Sequence, residues 1–305
     1  MVADAWKAEK RRYVKISSYA AYVQLVNNYV VPFFAGADGD GMPSAGCAQA
    51  FADSLLARGL SVKTVKDSLL VFGMVCRYGA SMGAWPPVDM QVHFPSYACV
   101  RREVQVLPKT DQRRLLEYLT ENFTTENLGI LICLHSGLRI GEVCGLQWRD
   151  LDMSEEVIRV TKTVQRIYIA DGAERQYYVS VDSPKSASSL RDIPISHDLM
   201  RIIRPLKKVF AADNYVVSNA SEPMEPRLYR AYYYRLLKRL EIRPVRFHAL
   251  RHSFASRCIE SRCDYKTVSV ILGHSSISTT MDLYVHPGYD DKKRCIDKLS
   301  KVLKG

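Results

Sequence analysis

The stretch from His248 to Tyr284 carries side chains that could act together on one substrate: the imidazoles of His248 and His274, the guanidinium of Arg251 and the phenol of Tyr284. The acidic residues of this stretch do not have the spacing of metal ligands, and it contains no HExxH or CxxC motif. A guanidinium positions a phosphate and neutralises its charge through paired hydrogen bonds. The stretch therefore predicts a metal-independent site for a phosphate-containing substrate.

Three short helices are expected to carry these side chains. His248 and Arg251 have an i, i+3 spacing, so both would project from one face of a helix that begins near Phe247. The second helix has suitable residues for both of its ends: Asp264 as N-cap, 265–272 as the body and Gly273 as the stop. A third helix would begin in the polar run 275–278 and place Tyr284 towards its end.

A phosphate site of this kind needs a second arginine and a proton donor, and both are found upstream. The run HSGLRIGE predicts an apolar helix over 128–134 that breaks at Gly137, with a new helix beginning beside Arg139. The run SPKS places Lys185 after a proline, in a predicted turn between two strands and ahead of the sequence RDIPI.

Six positions in this order resemble the signature of the tyrosine recombinases, the phage-integrase family of site-specific DNA recombinases: Arg139, Lys185, His248, Arg251, His274 and Tyr284. The resemblance is strong over 107–287 and looser in the N-terminal part. It implies a mainly α fold with a small antiparallel β-sheet (α+β), in which an N-terminal helical core-binding domain precedes a catalytic domain. It also implies an enzyme that needs neither metal, ATP nor another cofactor.

The resemblance assigns a role to each of these side chains. Tyr284 would attack the scissile phosphate and form a 3′-phosphotyrosyl bond, and Arg139 and Arg251 would bind the non-bridging oxygens. Lys185 would protonate the leaving 5′ oxygen, while both histidines assist by hydrogen bonding and proton exchange.

Each assignment has an alternative. Three neighbouring residues could take the place of the chosen histidine or tyrosine: His252, His286 and Tyr289. Lys185 could be a solvated turn lysine, and Arg139 could form a structural ion pair with Glu142. His248 is preferred because it belongs to the HxxR motif, and Tyr284 because of its spacing from the LGH histidine.

Composition agrees with a polyanionic partner. The 305 residues include 43 Lys and Arg against 32 Asp and Glu, a formal net charge of +11, and the basic residues recur along the whole chain. Without a recognisable signal peptide or apolar span, we expect a protein of the bacterial cytoplasm, associated with the nucleoid when bound to DNA. The eight cysteines are expected to be reduced and mostly buried, and no zinc site is predicted.

The N-terminal part predicts a small helical domain over 1–91. Ser17 or Ser18 would cap a helix that Pro32 stops, with five apolar residues on one face: Tyr19, Tyr22, Val23, Val26 and Val30. A glycine-rich loop over 36–46 would precede a second helix that buries Cys47, Phe51 and Leu55 and ends at Gly59. Ser61 would cap a third helix with a second apolar stripe: Val62, Val65, Leu69, Phe72 and Cys76.

Basic residues of this domain and of the following linker, 92–106, are expected to contact DNA phosphates: Lys7, Lys10, Arg11, Arg12, Lys15, Lys63, Lys66, Arg101 and Arg102. An ordinary solvated helix face is the alternative. Nothing before Trp6 is expected to form a separate arm-binding domain.

The catalytic domain is predicted over 107–305. Thr110 would cap a helix with Leu115, Leu116 and Leu119, and another amphipathic helix is expected over 229–240 with Tyr232, Tyr233 and Leu236 or Leu237 in the core. Strands over 157–169 and 176–181 would form a hairpin across Asp171-Gly172, and a third strand, 190–195, would join them. A basic amphipathic helix over 289–303 would pack on its own domain or on a neighbouring subunit.

Recombination implies double-stranded DNA sites as partners, a homotetramer on DNA formed from protomers that are monomers in solution, and room for an accessory DNA-bending protein. The motif SPKSxxSxRxIP is most similar to integrases of conjugative transposons and phages. A Xer-like chromosome-dimer resolvase or a DNA invertase would share the same chemistry. Two further alternatives are a type IB topoisomerase, which would not exchange strands, and a regulator that binds DNA without cutting it.

Overall fold

The chain folds into two compact units in a computed structural model that describes residues 2–36, 43, 46–95, 104–171, 174–183, 189–284 and the single positions 293, 296, 297, 299 and 303. The first unit contains residues 1–102 together with 167–178, and the second contains 103–166 and 179–305. Most of the described residues are helical, and the strands form small sheets. The expected α+β class is confirmed.

The first unit is built from five α-helices: α1 (Val2–Lys10), α2 (Ile16–Leu25), α3 (Val31–Gly36), α4 (Cys47–Ala57) and α5 (Val62–Ser81). A π-helical turn, Val26–Val30, connects α2 to α3. The apolar faces of these helices meet in one core, in which Phe51 stacks on Phe72 with ring centroids 4.5 Å apart and Trp6 is 1% exposed. Aromatic rings bury much apolar area per residue, so they dominate the stability of this small core.

Two of the predicted helices of this unit are confirmed. Helix α4 buries Cys47, Phe51 and Leu55, and it ends at Ala57, just before Gly59, which has a φ of 75°. Ser61 caps α5 by accepting a hydrogen bond from the backbone N–H of Thr64 at 3.2 Å.

The expected limits of the first predicted helix were wrong. Helix α2 begins at Ile16 with Lys15 as N-cap, so Ser17 and Ser18 lie inside it. Pro32 does not end the helix, because the helical backbone continues from α2 through the π-helical turn into α3, and Pro32 is the second residue of α3. The periodicity located the helix correctly, but its predicted end at Pro32 was wrong.

The expectation that Lys7 faces DNA was also wrong. Its side chain is 7% exposed, and its ammonium pairs with Asp171 at 2.5 Å and with Asp4 at 3.1 Å. Asn27 donates to the carbonyl oxygen of Ala170 at 2.9 Å, beside the same pair. Because two carboxylates neutralise it and protein covers it, Lys7 is a structural residue of the first unit rather than a phosphate contact.

The second unit contains eight α-helices within the described residues: α6 (Lys109–Glu121), α7 (Thr125–Ser136), α8 (Ile140–Cys144), α9 (His197–Leu206), α10 (Pro226–Arg239), α11 (His248–Glu260), α12 (Tyr265–Leu272) and α13 (Ile277–Tyr284). The three predicted helices of the His248–Tyr284 stretch are confirmed. Helix α6 follows Pro108, so Thr110 lies in its first turn and does not cap it. In α10, which begins at Pro226, Tyr229 and Tyr233 are fully buried and Tyr232 only partly.

The sheet arrangement differs from the one expected. The predicted strand over 157–169 is two strands, β2 (Val157–Val160) and β3 (Thr163–Asp171). Strand β2 pairs antiparallel with β1 (Leu151–Asp152) and with β5 (Arg191–Pro194), whereas β3 pairs with β4 (Glu174–Asp182) in a separate sheet. The strand is interrupted at Lys162, whose ammonium group contacts the side chains of Gln147 and Asp150. Within the described residues, the third predicted strand therefore pairs with β2 and not with β3 or β4.

Helix α7 lies at the centre of the second unit and is buried on nearly all sides, from Asn127 to Leu134. It ends where Gly137 takes a left-handed φ of 66°. A Cβ at Gly137 would lie 2.6 Å from Cδ1 of Phe254 and 2.8 Å from Cδ2 of Leu272. Both the backbone conformation and the close packing therefore require glycine here.

We predict that Gly137→Ala lowers the free energy of unfolding by about 2 kcal/mol or more, because left-handed strain and overpacking each cost on the order of 1 kcal/mol or more. Urea denaturation followed by circular dichroism measures it. The matched control is Gly36→Ala, since a Cβ at Gly36 meets nothing within 4 Å. A Gly137→Ala protein as stable as the control would contradict this explanation of the glycine.

Three sequence expectations concern residues largely outside the described part: the glycine-rich loop, most of the linker with Arg101 and Arg102, and the C-terminal helix 289–303. Among the described cysteines, Cys47, Cys76, Cys133 and Cys144 are buried. None of the described helices combines the length and the apolar character needed to cross a membrane.

Candidate active site

Arg251 on α11 is the most buried charged side chain of the site, at 1% exposure. Its guanidinium donates to the carbonyl oxygens of Gly137, at 2.9 Å, and Leu272, at 2.7 Å. Burial and the charge of Arg139 lower the pKa of Arg251 to about 9, which still leaves it cationic at neutral pH. No carboxylate among the described residues forms an ion pair with it, so this buried cation favours the binding of an anion.

Arg139 lies next to Arg251 because both side chains donate to adjacent peptide groups at the end of α12. Arg139 is the N-cap of α8, and its Nη2 donates to the carbonyl oxygen of Gly273 at 3.2 Å. Its backbone N–H and its Nη1 donate to the two carboxylate oxygens of Glu142, at 2.9 and 2.8 Å. The ion pair considered for Arg139 and Glu142 is present, and it fixes the guanidinium beside that of Arg251.

Glu142 has a second arginine partner, Arg191, at the start of β5. Arg191 donates to both carboxylate oxygens of Glu142, at 3.1 and 3.0 Å, and the two side chains are 5% and 4% exposed. Its Nε donates to the carbonyl oxygen of Ile271 at 2.6 Å. The arginines hold the pKa of Glu142 below its ordinary value against the effect of burial. One carboxylate thus faces two arginines, and with Arg251 nearby the cluster stays cationic.

The sequence motifs assign no role to Arg191. The sequence signal for it is its place in the motif SPKSxxSxRxIP, shortly after the lysine turn. The Arg191 side chain connects β5 to α8 and α12 through its hydrogen bonds with Glu142 and Ile271. It therefore holds Glu142 in position, and Glu142 in turn positions Arg139.

The two predicted histidines are both uncharged at neutral pH. Desolvation by the surrounding protein and the charges of Arg251 and Arg139 lower the pKa values of His248 and His274 to about 4, although His248 keeps one side exposed at the surface. His274 is oriented by a hydrogen bond between its Nδ1 and the buried Thr280 hydroxyl, 2.8 Å long. Neutral imidazoles can accept as well as donate hydrogen bonds beside a phosphate.

Tyr284 is the last residue of α13 and is 9% exposed. It packs in a small apolar cluster with Ala255, Val268 and Leu272. Burial raises the pKa of its phenol to about 12, although Arg251 and Arg139 act in the opposite direction. The hydroxyl group is therefore protonated in the free protein and directed towards the cationic cluster.

The hydrogen-bond partner of Tyr284 is His252, and not the preferred His248. His252 Nδ1 lies 2.5 Å from the Tyr284 hydroxyl oxygen. The His248 ring stands edge-on to that of His252, with centroids 4.6 Å apart. His252 was one of the alternatives because it lies close to His248 in the sequence. The i, i+4 spacing of the two histidines, which places both on one side of the helix, is the signal that could have identified it.

Five of the six predicted catalytic residues come together in this site: Arg139, His248, Arg251, His274 and Tyr284. Lys185 lies outside the described residues, between the end of β4 and the start of β5. The described residues include no group of three or more His, Cys, Asp or Glu side chains that could hold a metal ion.

An open cavity of about 450 Å³ adjoins His248. Its lining includes two arginines that the sequence did not single out, Arg230 on α10 and Arg246 just before α11, together with Tyr234. This combination provides cationic and aromatic surface next to the guanidinium cluster, which suits an extended anionic substrate.

The remaining predicted phosphate contacts of the first unit include several exposed side chains: Arg11, Arg12, Lys15, Lys63 and Lys66. Lys63 pairs with Asp67 at 2.9 Å, and Lys66 lies 5.2 Å from the centroid of the Phe94 ring. Lys10 is half-buried over the Trp6 ring. None of these contacts prevents an exposed ammonium or guanidinium from meeting a phosphate.

Residues 105–290 match the family model described as the phage integrase family. A XerC-like tyrosine recombinase of Caldanaerobacter subterraneus is 24% identical over 83% of this chain and 70% of its own length. The ICEBs1 integrase of Bacillus subtilis is 29% identical over 55% of this chain, which spans only 46% of that relative. The Tn1549 transposon integrase, solved with a circular intermediate DNA, shares the fold with a TM-score of 0.72 at 22% identity, over 98% of this chain and 99% of that one.

Proposed function

Since the chain belongs to the phage integrase family of tyrosine recombinases, which are site-specific DNA recombining enzymes, we propose that it cuts and rejoins DNA through a 3′-phosphotyrosyl bond at Tyr284. The observation that carries this proposal is the buried Arg251, which has no carboxylate partner among the described residues and whose charge acts on the Tyr284 phenol. A phosphodiester bound there would compensate the buried cation and place phosphorus within reach of the phenol.

Each side chain then performs one task. Arg139 and Arg251 bind the two non-bridging oxygens, where negative charge increases in the transition state. Tyr284 attacks phosphorus, and Lys185 is proposed as the acid that protonates the leaving 5′ oxygen. His248 and His274 donate hydrogen bonds to the phosphate. The phosphotyrosyl bond conserves the energy of the phosphodiester, so rejoining needs no nucleotide cofactor.

We further propose that residues 1–91 form a core-binding domain and 92–106 a linker to the catalytic part, 107–305. The phosphate contacts proposed for these regions omit Lys7: Lys10, Arg11, Arg12, Lys15, Lys63, Lys66, Arg101 and Arg102. Support comes from their charge and from the exposure of most of those that the structure describes.

The active assembly is proposed to be a homotetramer on two DNA sites, formed from monomers. Each protomer carries one nucleophilic tyrosine, whereas exchange between two duplexes requires four cut strands. The names of two relatives, an ICEBs1 integrase and a transposon integrase, favour integration and excision of a mobile element over dimer resolution or inversion. An accessory bending protein and association with the bacterial nucleoid belong to the same proposal.

Covalent trapping tests the mechanism. The protein is incubated without metal on DNA that carries a nick near the crossover point, so that the cleaved strand diffuses away and the adduct persists. We predict a protease-sensitive adduct on denaturing gels with the wild type and none with Tyr284→Phe, while Tyr265→Phe, on the exposed side of α12, behaves as the wild type. An adduct that survives Tyr284→Phe would move the nucleophile elsewhere, with Tyr289 tested first.

The same nicked DNA distinguishes a recombinase from the two other classes of protein, a topoisomerase and a regulator that only binds DNA. A topoisomerase would form the adduct but would not join strands from two sites, and a binding-only regulator would form none on any site tested. Recombinant products between two labelled sites would establish strand exchange.

The cavity beside His248 makes a separate prediction. Removing the guanidinium in Arg246→Ala should weaken DNA binding at all sequences and reduce the slope of log K against log salt by about 1, because one phosphate contact is lost. Fluorescence anisotropy between low and moderate salt measures the slope. Arg201→Ala, on the exposed face of α9, is the control. An unchanged slope for Arg246→Ala would remove this cavity from the DNA path.

A further inference from the structure

We propose that His252 is the base that accepts the proton of Tyr284 when the phenol attacks phosphorus. This inference rests on the proposed function, since it requires Tyr284 to be the nucleophile. It assigns a catalytic role to a residue that lies outside the six-residue signature, one position after Arg251.

The geometry is direct. The Tyr284 hydroxyl and His252 Nδ1 are 2.5 Å apart, and among the described residues His252 is the hydrogen-bond partner of that hydroxyl. The two ring planes are inclined by 54° with centroids 5.6 Å apart, so the imidazole approaches the phenol through its nitrogen and does not stack on it. When Nε2 carries the ring proton, Nδ1 presents a lone pair to the phenol.

Tyr284 needs such a partner because it does not ionise unaided. Burial raises the pKa of its phenol to about 12 despite two nearby arginines. Nucleophiles of this kind depend on an adjacent base. Arg251 and Arg139, which favour the phenolate, are also the groups proposed to bind the phosphate. A bound phosphate therefore weakens their electrostatic stabilisation of the phenolate when Tyr284 attacks.

His252 gains basicity at that same moment. In the free protein, burial, repulsion from His248 when both rings are protonated, and the charge of Arg251 lower the pKa of His252 to about 4, so its ring is neutral and able to accept. A phosphodiester anion held by the arginines opposes the positive charge of Arg251 and therefore raises the pKa of His252. Binding of the substrate thus makes His252 a stronger proton acceptor.

His248 is less suited to this task. Its ring lies beside His252, and its place is in the lining of the open cavity, next to Arg246. From there it can reach a substrate oxygen, which agrees with its proposed role at the phosphate. The two histidines of α11 thus have different roles: His252 accepts the proton of Tyr284, and His248 forms a hydrogen bond with the phosphate.

The proton and electron changes balance. The bond between the Tyr284 oxygen and phosphorus forms as the bond from phosphorus to the 5′ oxygen breaks. The phenolic proton moves to His252 Nδ1, and the leaving oxygen takes a proton from the acid proposed to be Lys185. In rejoining, the 5′-hydroxyl attacks the phosphotyrosine, returns its proton to the acid, and His252 gives its proton back to Tyr284.

The test combines His252→Asn with fluorinated tyrosine at position 284. Asparagine can place an amide oxygen near the former Nδ1, which keeps a hydrogen-bond acceptor but supplies no base. We expect single-turnover adduct formation on nicked DNA to slow by about 10²-fold or more. Introducing 3,5-difluorotyrosine at position 284, whose phenol is more acidic, should reduce the rate difference between the His252→Asn variant and its parent at least about tenfold, because a more acidic nucleophile depends less on its base.

Several controls keep the outcome clear. His197→Gln, on the exposed first turn of α9, should cleave at the wild-type rate. Melting temperature and DNA affinity report whether His252→Asn is folded, and His252→Ala rescued by added imidazole serves as the second variant. A wild-type rate in His252→Asn, or an equal rate difference with both tyrosines and no rescue by imidazole, would overturn the inference. Absence of an adduct from the wild type would instead overturn the proposed function itself.

Discussion

Replacing Arg251 with alanine is expected to lower the rate of covalent cleavage by about 10³-fold, with DNA affinity changed far less. Loss of one preorganised donor to a developing oxyanion costs about 10²–10³ in rate, and Arg251 is also fully buried, where its field is least screened by water. Single-turnover adduct formation on nicked DNA measures the rate. Arg201→Ala, an exposed arginine paired with Asp198, is the matched control.

Arg251→Lys refines this result. Lysine keeps the charge but lacks the planar guanidinium. It therefore cannot donate to the carbonyl oxygens of Gly137 and Leu272 while also donating to a phosphate oxygen in the same plane. We expect its rate to lie closer to that of alanine than to the wild type. Cleavage within about threefold of the wild type in Arg251→Ala would show that this cation does not serve the phosphate, and would weaken the active-site assignment as a whole.

The second large effect concerns stability. Glu142→Gln should lower the free energy of unfolding by about 3–5 kcal/mol, because it leaves the buried Arg191 without its carboxylate and frees Arg139 from its support. Urea denaturation measures the loss. Asp198→Asn, in an exposed ion pair, is the control and should change stability by less than about 1 kcal/mol.

A double variant separates charge from packing. In Glu142→Gln with Arg191→Leu, the uncompensated cation is removed, so part of the lost stability should return, whereas cleavage should stay low because Arg139 is no longer positioned. If the double variant were less stable than the Glu142→Gln single variant, burial of an unpaired arginine would not be the cause of the loss.

The same pair predicts a pH dependence. In the folded protein the pKa of Glu142 lies below its ordinary value of 4.5, so the folded state binds this proton less readily than the unfolded state. The stabilisation is complete above pH 4.5 and is lost as pH falls through the lowered pKa. Wild type should therefore lose stability in this acidic range more steeply than Glu142→Gln.

Much of the second unit could be predicted because its signals are local. The bounds of α12 follow from the side chain of Asp264, which accepts from Thr267 at 2.8 Å, and from the left-handed Gly273. The break at Gly137 has the same origin. Such hydrogen bonds and dihedral preferences involve residues a few positions apart, so the sequence alone determines them, together with the order of the six residues that carries the family resemblance.

The tertiary structure decided what depends on residues far apart in the chain. The run 157–169 has the composition of one strand, but Lys162 bonds to Gln147 and Asp150 and divides it between two sheets. The sequence around Lys7 predicts a surface lysine, but in the folded protein its side chain is buried and pairs with Asp171, which is distant in the sequence.

The choice between His248 and His252 has the same cause. Both histidines lie on α11, and only the packing of α13 against that helix determines which of them the Tyr284 hydroxyl meets. The sequence thus determined most of the helices, the family and the candidate residues of the site. Their partners were decided by the tertiary structure, because an ion pair or hydrogen bond between distant segments forms only once both segments are packed in place.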